Sequence, residues 1–201
     1  RALSVLREVH CVASEDTRET RKLLAHYGIS KPLVSYYRGC EESRSVSLVA
    51  MMREGKDVAL VCDRGTPGVS DPAHVLVRRA REAGIAVSPV PGPSSLTAAL
   101  SVSGFPVNAF SFYGFPPRKI CRARTFFEDL VERKETLVFF ESVHRFHKTC
   151  GLLKEIFPER KMVVCRELTK KFEEIASGTA QELFLHFDGK RTKGEFVIIL
   201  E

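Results

Sequence analysis

Short apolar runs alternate with segments of helical spacing along the first half of the chain. Residues 58–62 are continuously apolar, which is typical of a strand buried on both faces of a sheet. Residues 43–54 instead carry apolar side chains at helical spacing and stop at Gly55. The same patterns predict strands at residues 11–13, 33–36 and 85–87 and helices that end near Gly28, Gly84 and Val102.

The alternation continues in the second half of the chain. Strands are predicted at residues 110–113, 137–140, 162–165 and 196–200, and helices from about 118, at 144–157 and at 179–187. Such alternation predicts an α/β fold with a mostly parallel sheet covered on both faces. The length fits one large domain or two small ones. Because residues 104–108 interrupt the rhythm, we predict two α/β domains, residues 1–107 and 108–201.

The chain begins at Arg1, and its first residues already have the pattern of an amphipathic helix. Leu3, Leu6 and Val9 lie on one side of that helix, and no capping residue precedes it. We therefore expect that the natural protein starts earlier, with a strand and a loop that this sequence does not contain.

Composition and charge narrow the class of protein. With 44% hydrophobic and 28% charged residues the chain resembles ordinary soluble globular proteins. No apolar run approaches the roughly 20 residues of a membrane span. The net charge of +6 favours a polyanionic partner such as nucleic acid, although a modest excess of cations also serves solubility.

The six cysteines show no C-x-x-C spacing and no nearby histidine pair at zinc-ligand spacing. This pattern predicts free thiols in a reducing compartment, and so a cytoplasmic protein. The sequence also contains no G-x-G-x-x-G motif, no Walker A motif and no metal-ligand cluster, so we expect no bound metal.

The segment 63–72 carries the most unusual backbone chemistry. It follows a buried strand and contains two prolines, two aspartates and the glycines Gly65 and Gly68. Ligands of parallel α/β sheets bind beyond the carboxyl ends of the strands, and glycine lets the backbone approach a ligand closely. We therefore predict a ligand site here, with an ordinary strand-to-helix turn as the alternative. Asp71 is expected to cap a helix that begins at Pro72.

Two more strand exits in this half carry polar groups. Residues 91–95 open a helix whose N–H groups either hold an anion or are capped by Ser94 or Ser95. Residues 14–18 place an acid pair beside Arg18, which suits either a substrate contact or a helix start.

In the second half, residues 140–145 and 165–170 each follow a strand and each carry a carboxylate with cations. Surface ion pairs are the alternative to a functional site at these positions.

Seven motifs in a fixed order resemble one family. They are Ser-Glu-Asp-Thr-Arg, Asp-x-Gly-Thr-Pro-Gly-x-Ser-Asp-Pro, Pro-Gly-Pro-Ser, Phe-x-Gly-Phe-x-Pro, Phe-Glu-Ser-x-His-Arg, Arg-Glu-Leu-Thr-Lys and Gly-Glu-Phe, between residues 14 and 196. On these motifs the chain is similar to the ribosomal RNA small subunit methyltransferase I family, a branch of the tetrapyrrole methylases. The resemblance spans nearly the whole sequence.

The resemblance implies the tetrapyrrole-methylase fold, in which two α/β domains with mostly parallel or mixed sheets hold S-adenosylmethionine (SAM) in a cleft, usually within a homodimer. It implies methyl transfer to the ribose 2′-hydroxyl of a cytidine in small-subunit ribosomal RNA, so the small ribosomal subunit is the expected partner. Two alternatives stay open. In the first, the methyl acceptor is a tetrapyrrole or a protein. In the second, the chain binds RNA or SAM but does not catalyse methyl transfer.

The resemblance also assigns roles to individual residues. The expected SAM-binding residues are Asp63, Gly65, Thr66, Pro67, Ser94, Ser95, Phe112, Gly114 and Arg166. The expected RNA contacts are Arg18, Arg118, Lys119, Arg122, Arg124, Arg145 and Lys170. A ribose hydroxyl is a poor nucleophile, so a general base would help. The candidate bases are Glu15, Glu141 and Glu167.

Some positions depart from the family pattern. The Thr-Pro-Ile-Gly-Asn-Leu loop with which the family begins is absent, and residues 37–41 replace a usual His and Asn-Glu. Ala73 stands where the family usually has Gly, and Arg64 where it usually has Ala. A cation at position 64 either repels the positively charged sulfur of SAM or reaches an RNA phosphate.

Overall fold

The computed structural model describes residues 1–188 and 194–201. Contacts divide the chain into two compact units, Arg1–Pro93 and Ser94–Glu201. Both units are α/β, as the sequence predicted. Over these described ranges, no helix has the length and apolar character that crossing a membrane requires.

The first unit is a three-stranded parallel sheet in the order β2-β1-β3. Its elements are α1 (Ala2–Glu8), β1 (Cys11–Ser14), α2 (Thr17–His26), β2 (Leu33–Ser35), α3 (Glu41–Arg53), β3 (Val58–Val61) and α4 (His74–Glu82). Each strand is joined to the next by a helix because parallel strands need a crossover connection.

The central strand β1 separates the two cores of this unit. Cys11 and Ala13 point to one face, where they pack with Leu48 of α3 and Leu76 of α4. Val12 points to the other face, into a cluster that includes residues of α1 and α2. All four residues of β1 are buried, since side chains alternate across a sheet that helices cover on both sides.

Two predictions for the first unit are wrong. Residues 85–87 form no strand in the described structure. Ile85 packs against the core, while Ala86 and Val87 are exposed. A strand needs a hydrogen-bonded neighbouring strand, and the apolar pattern alone cannot show whether one is present. The second error concerns α4, which begins at His74 with Ala73 as its N-cap residue, so Asp71 does not cap it.

The second unit is built on a five-stranded mixed sheet in the order β4-β5-β8-β6-β7. Its elements are α5 (Ser95–Ser103), β4 (Phe110–Phe112), α6 (Ile120–Glu128), β5 (Thr136–Ser142), α7 (Val143–Ile156), β6 (Lys161–Arg166), β7 (Glu174–Thr179), α8 (Ala180–Phe187) and β8 (Glu195–Leu200). Only β4 and β5 are paired in parallel, and the other pairs are antiparallel.

Helix α5 belongs to this second unit, whereas the sequence pattern predicted a boundary after it, at residue 107. Its residues Ala99 and Leu100 pack against Val138, Val163 and Ile199 of the sheet. The opposite face of the sheet packs against α6, α7 and α8 around a larger, phenylalanine-rich cluster. A helix as apolar as α5 must bury one side, and this sheet face supplies the partner surface.

The six cysteines are free thiols that differ in exposure. Cys121 is exposed, Cys40 and Cys62 are half-buried, and Cys11, Cys150 and Cys165 are buried.

One buried hydroxyl ties three elements of the first unit together. The side chain of Tyr36 is buried directly after β2, and its hydroxyl lies 3.1 Å from Ser45 Oγ of α3. The same hydroxyl accepts a hydrogen bond from the Leu76 backbone N–H at 3.2 Å. Leu76 lies in the first turn of α4, where N–H groups have no partner within the helix. The N-cap residue Ala73 has no side-chain acceptor, so the Tyr36 hydroxyl accepts the hydrogen bond from the first turn of α4 in its place.

Tyr36→Phe should therefore lower the free energy of unfolding by about 1–3 kcal/mol, because it leaves the Leu76 N–H buried without an acceptor. Urea unfolding followed by circular dichroism measures the change. Tyr37→Phe is the matched control, since Tyr37 is 50% exposed and should change stability by less than about 0.5 kcal/mol. Equal stabilities of the two variants would contradict this role of the buried hydroxyl.

Candidate functional site

The three strands of the first unit are parallel, so their carboxyl ends lie at one edge of its sheet. Residues Glu15 and Asp16 follow β1, and Asp63 follows β3. The Asp16 backbone N–H donates to Asp63 Oδ1 at 3.2 Å, which joins the two exits. The sequence prediction that residues 14–18 and 63–72 open on the same side is therefore confirmed.

Two aspartates act on Glu15 at this edge. The pKa of Glu15 is raised, first by burial and then by the negative charges of Asp71 and Asp63. Burial, with a further contribution from Asp71, also raises the pKa of the Cys62 thiol to about 12. A cluster of this kind favours a cation and keeps Glu15 a stronger base than an ordinary glutamate.

The loop after β3 needs its glycines. Gly65 has a φ of +73° and Gly68 a φ of +86°, a region that side-chain-bearing residues rarely adopt. A Cβ on Gly68 would also lie 3.3 Å from the Cβ of Ala73. Ser70 adopts φ +72° without being glycine, and its carbonyl accepts a hydrogen bond from Arg38 at 3.4 Å. The loop is thus a constrained turn, in which the Val69 N–H donates to the Thr66 carbonyl, and its predicted part in ligand binding stays a prediction.

Ser94 and Ser95 lie at the start of α5. Ser94 is the N-cap residue but makes no side-chain cap hydrogen bond, and Ser95 is the exposed first residue of the helix. Their expected part in cofactor binding stays a prediction, as it does for Phe112, Gly114 and Arg166.

The second unit also gathers strand ends at one edge of its sheet. Strands β4, β5 and β6 run in the same direction, and β8 runs against them, so the exits of the first three lie beside the start of β8. Gly114 follows β4 with φ +64°, and its carbonyl accepts from the Phe140 N–H at 2.7 Å. Phe112 and Phe115 both contact the ring of Phe140 edge-on.

Glu141 is part of the interior of the second unit. Its side chain is fully buried, lies 2.7 Å from Arg145 Nη2 and accepts a hydrogen bond from Thr149 Oγ1 at 2.6 Å. Arg145 in turn donates to the Pro116 carbonyl at 2.8 Å. A buried carboxylate with these partners cannot reach a substrate, so Glu141 and Arg145 fasten the loop after β4 to α7.

Glu167 is engaged in a different way. Its carboxylate binds Lys170 Nζ at 2.7 Å and accepts from the Glu195 N–H at 3.2 Å, and the hydrogen bond with Lys170 lowers its pKa. Arg166 pairs with Glu174 at 3.1 Å. Of the three predicted bases, only Glu15 therefore combines partial exposure with a raised pKa.

The predicted RNA-binding cations fall into two groups. Four are engaged within the chain: Arg18 by Asp16, Arg124 by Glu155, Arg145 by Glu141 and Lys170 by Glu167. The other three, Arg118, Lys119 and Arg122, are exposed around the start of α6 and form no ion pair within the described part of the chain.

Sequence reasoning missed several partners at both edges. Asp71 was assigned to a helix cap, whereas it contributes negative charge beside Glu15 and Cys62. Thr149 of α7 donates a hydrogen bond to Glu141 of β5, and no spacing rule within one element signals a contact between a strand and a helix. Among the residues that the structure describes, no group of three or more His, Cys, Asp or Glu side chains is arranged to hold a metal ion.

Comparison with known proteins gives consistent matches. The family described as "Tetrapyrrole (Corrin/Porphyrin) Methylases" matches residues 1–183. Proteins named "Ribosomal RNA small subunit methyltransferase I" from Xylella fastidiosa and Leptospira biflexa are 46% and 44% identical to the chain. Each alignment covers 100% of this chain, with 75% of the first relative and 83% of the second.

Solved structures show the same fold at low identity. The methyltransferase CobJ superposes with a TM-score of 0.67 at 18% identity, over 98% of this chain and 85% of that one. Cobalt precorrin-4 methyltransferase gives a TM-score of 0.66 at 20% identity, over 98% and 86% of the two chains.

Glu15→Gln should stabilise the folded chain at neutral pH. Because folding raises the pKa of Glu15, the protonated form contributes stability at low pH, and that contribution is lost as the pH rises through the folded pKa. Above that pH the charged side chain opposes folding, and glutamine removes the charge. Thermal unfolding between about pH 4 and about pH 8 should show a higher Tm for the variant, with a difference that vanishes towards low pH. Glu19→Gln, the same change at an exposed position, is the control. A Tm below that of the unaltered chain at about pH 8 would refute the repulsion.

Proposed function

Because the chain belongs to the tetrapyrrole methylase family, whose methyl donor is SAM, we propose that it methylates small-subunit ribosomal RNA at the 2′-hydroxyl of a cytidine. The observation that carries this proposal is the similarity, along the whole chain, to relatives named for methylation of that RNA. The carboxylate cluster and the exposed cations described above support it independently.

The residues of the first unit fit SAM as a ligand. Its sulfur is positively charged, and Glu15, Asp63 and Asp71 supply negative charge at the strand exits. The left-handed turns at Gly65 and Gly68 leave backbone without side chains for close contact with a ligand. Asp63, Gly65, Thr66 and Pro67 would therefore hold the cofactor. When bound, SAM supplies a methyl group on a good leaving group.

The chain's own residues then have two tasks, which are orientation and proton removal. Holding the acceptor in line with the methyl group contributes roughly 7–11 kcal/mol in well-oriented reactions. A base that takes the proton from the ribose hydroxyl adds about 10²–10⁴-fold. Glu15 fits this second task, because its raised pKa makes its carboxylate oxygen more basic and its side chain is partly exposed.

The exposed cations favour RNA over the other acceptors of this fold. Arg118, Lys119 and Arg122 lie within five residues at the start of α6, and the exposed Phe115 comes three residues before Arg118 in the sequence. Cations in this arrangement bind phosphates, and aromatic rings stack on unpaired bases. A tetrapyrrole or a protein acceptor stays an outcome of the test below, as does RNA binding without turnover.

Methyl transfer from labelled SAM tests the proposal. The protein is incubated with small ribosomal subunits and, in parallel, with a porphyrinoid acceptor. We expect label in the RNA alone and, after digestion, in 2′-O-methylcytidine. Glu15→Gln should lower the rate at saturating SAM by about 10²–10⁴-fold. Label on a base or on the porphyrinoid would overturn the proposal, and RNA binding without labelling would support a non-catalytic protein.

Arg122 should contribute more to RNA binding than Arg124, although they lie two residues apart. Arg122 is exposed without an ion pair in the described structure, whereas Arg124 lies 2.5 Å from Glu155. Arg122→Gln should raise the KM for small subunits and lower the slope of log KM against log salt by about 0.7–0.9, as one phosphate contact is lost. Arg124→Gln should leave the slope nearly unchanged. Equal slopes for the two variants would exclude this surface.

A further inference from the structure

The turn after β6 presents an aromatic ring to solvent. Phe172 is 64% exposed, the highest fraction of any large hydrophobic residue in the described ranges. A phenylalanine at this position keeps most of its apolar surface in water. Such a ring is available for contact with a partner outside the unit.

The turn that carries Phe172 is constrained. Glu167 has φ +49° and Thr169 has φ +65°, both in the left-handed region although neither is glycine. Strained residues of this kind persist only where the surroundings fix them, and they cluster at binding sites. The turn therefore has a defined backbone conformation.

Hydrogen bonds account for the constraint. The Lys170 N–H donates to the Glu167 carbonyl at 3.0 Å, and the Glu173 N–H donates to the Lys170 carbonyl at 3.1 Å. The Thr169 N–H donates to the Glu173 carboxylate at 2.5 Å. Leu168 packs on the core against the sheet, which anchors the turn from within. Hydrogen bonds thus fix the backbone on both sides of Phe172.

One cation lies close to the ring. Lys171 Nζ lies 5.7 Å from the centre of the Phe172 ring and has no ion pair with a residue that the structure describes. Glu167 pairs with Lys170 and Glu173 accepts a hydrogen bond from the Thr169 N–H, and neither forms an ion pair with Lys171 in the described structure. An exposed ring beside an unneutralised ammonium group suits a partner with flat aromatic surfaces and negative charges.

The turn also lies at the sheet edge where the other candidate RNA contacts begin. Strands β4 and β6 run in the same direction, so the turn after β6 and the segment from Phe115 to Lys119 leave the sheet at one edge. The two exposed rings, Phe115 and Phe172, therefore flank the same edge, each next to cations in the sequence.

We propose that Phe172 is a stacking platform for an unpaired base of the RNA substrate and that Lys171 binds the adjoining phosphate. This inference rests on the proposed function, because it assumes an RNA acceptor. Single-stranded RNA is bound in this way, with bases stacked on aromatic side chains and cations along the backbone. A second copy of the chain is the competing occupant of an exposed ring, and it predicts a change in oligomeric state instead.

Kinetics with small ribosomal subunits test the proposal in Phe172→Ala, Phe172→Trp and Lys171→Gln. Loss of one stacked base should raise the KM for RNA roughly 5- to 100-fold in Phe172→Ala, with the KM for SAM unchanged. Phe172→Trp should keep the KM for RNA close to that of the unaltered chain, because tryptophan also stacks on bases. Lys171→Gln should lower the salt slope by about 0.7, whereas Phe172→Ala should leave the slope unchanged.

Val131→Ala is the matched control. Val131 is 44% exposed and precedes β5, at the opposite edge of the same sheet, so its KM for RNA should not change. An unchanged RNA KM in Phe172→Ala, or a shift in sedimentation that accompanies the loss, would overturn the proposal in favour of a merely exposed ring or of a contact between copies.

Direct binding separates this proposal from the proposed function. Titration of each variant with a fluorescent single-stranded RNA reports stacking even if no methyl transfer occurs. Suppose that the unaltered protein transfers no methyl group to RNA but that Phe172→Ala binds RNA more weakly than it does. This result would refute the proposed methyltransferase function and support the stacking role of Phe172. If the unaltered protein methylates RNA but Phe172→Ala binds RNA equally well, the proposed function is supported and the stacking role of Phe172 is refuted.

Discussion

The direction of the strands is the constraint on which the candidate site depends. Parallel strands must be joined by crossover connections, so their carboxyl ends collect at one edge of a sheet. In the first unit this brings residues that are far apart in sequence, such as Asp16 and Asp63, into hydrogen-bond contact. In the second unit the antiparallel β8 lies between β5 and β6, yet these two still run the same way and leave the sheet at a common edge.

The glutamates at the two edges show how surroundings assign roles to one residue type. Glu15 lies among other carboxylates, and burial together with their charges raises its pKa. Glu141 is enclosed by Arg145 and Thr149 and serves packing. Glu167 is paired with Lys170, which lowers its pKa. Sequence alone could not rank the three, because each follows a strand and each has a cation nearby in the chain. The ranking follows from contacts with residues of other elements.

Much of the fold could be predicted from the sequence, and the exceptions have a common physical cause. Continuous apolar runs identified β3 and β5, and glycines identified the turn at residues 65–68, because those signals are local. Residues 85–87 have the apolar pattern of a strand, but a strand also needs a neighbour along its edge, which no local pattern encodes. The pairing of Arg124 with Glu155 was hidden for the same reason, since its partner lies on another helix. Asp71 preceded a proline in the manner of a helix cap, yet the left-handed Ser70 lengthens the turn and moves the helix start to His74.

The unequal exposure of the cysteines has a practical consequence for spectroscopy. A maleimide reacts with the thiolate, so a thiol whose pKa is about 12, such as Cys62, is a poor target at neutral pH, and buried thiols are shielded from the reagent. Cys121 alone among the six is exposed, and it lies beside Arg122 at the start of α6. The unaltered chain therefore carries a natural attachment point for a fluorophore, next to the basic surface whose encounter with a nucleic acid that dye would report.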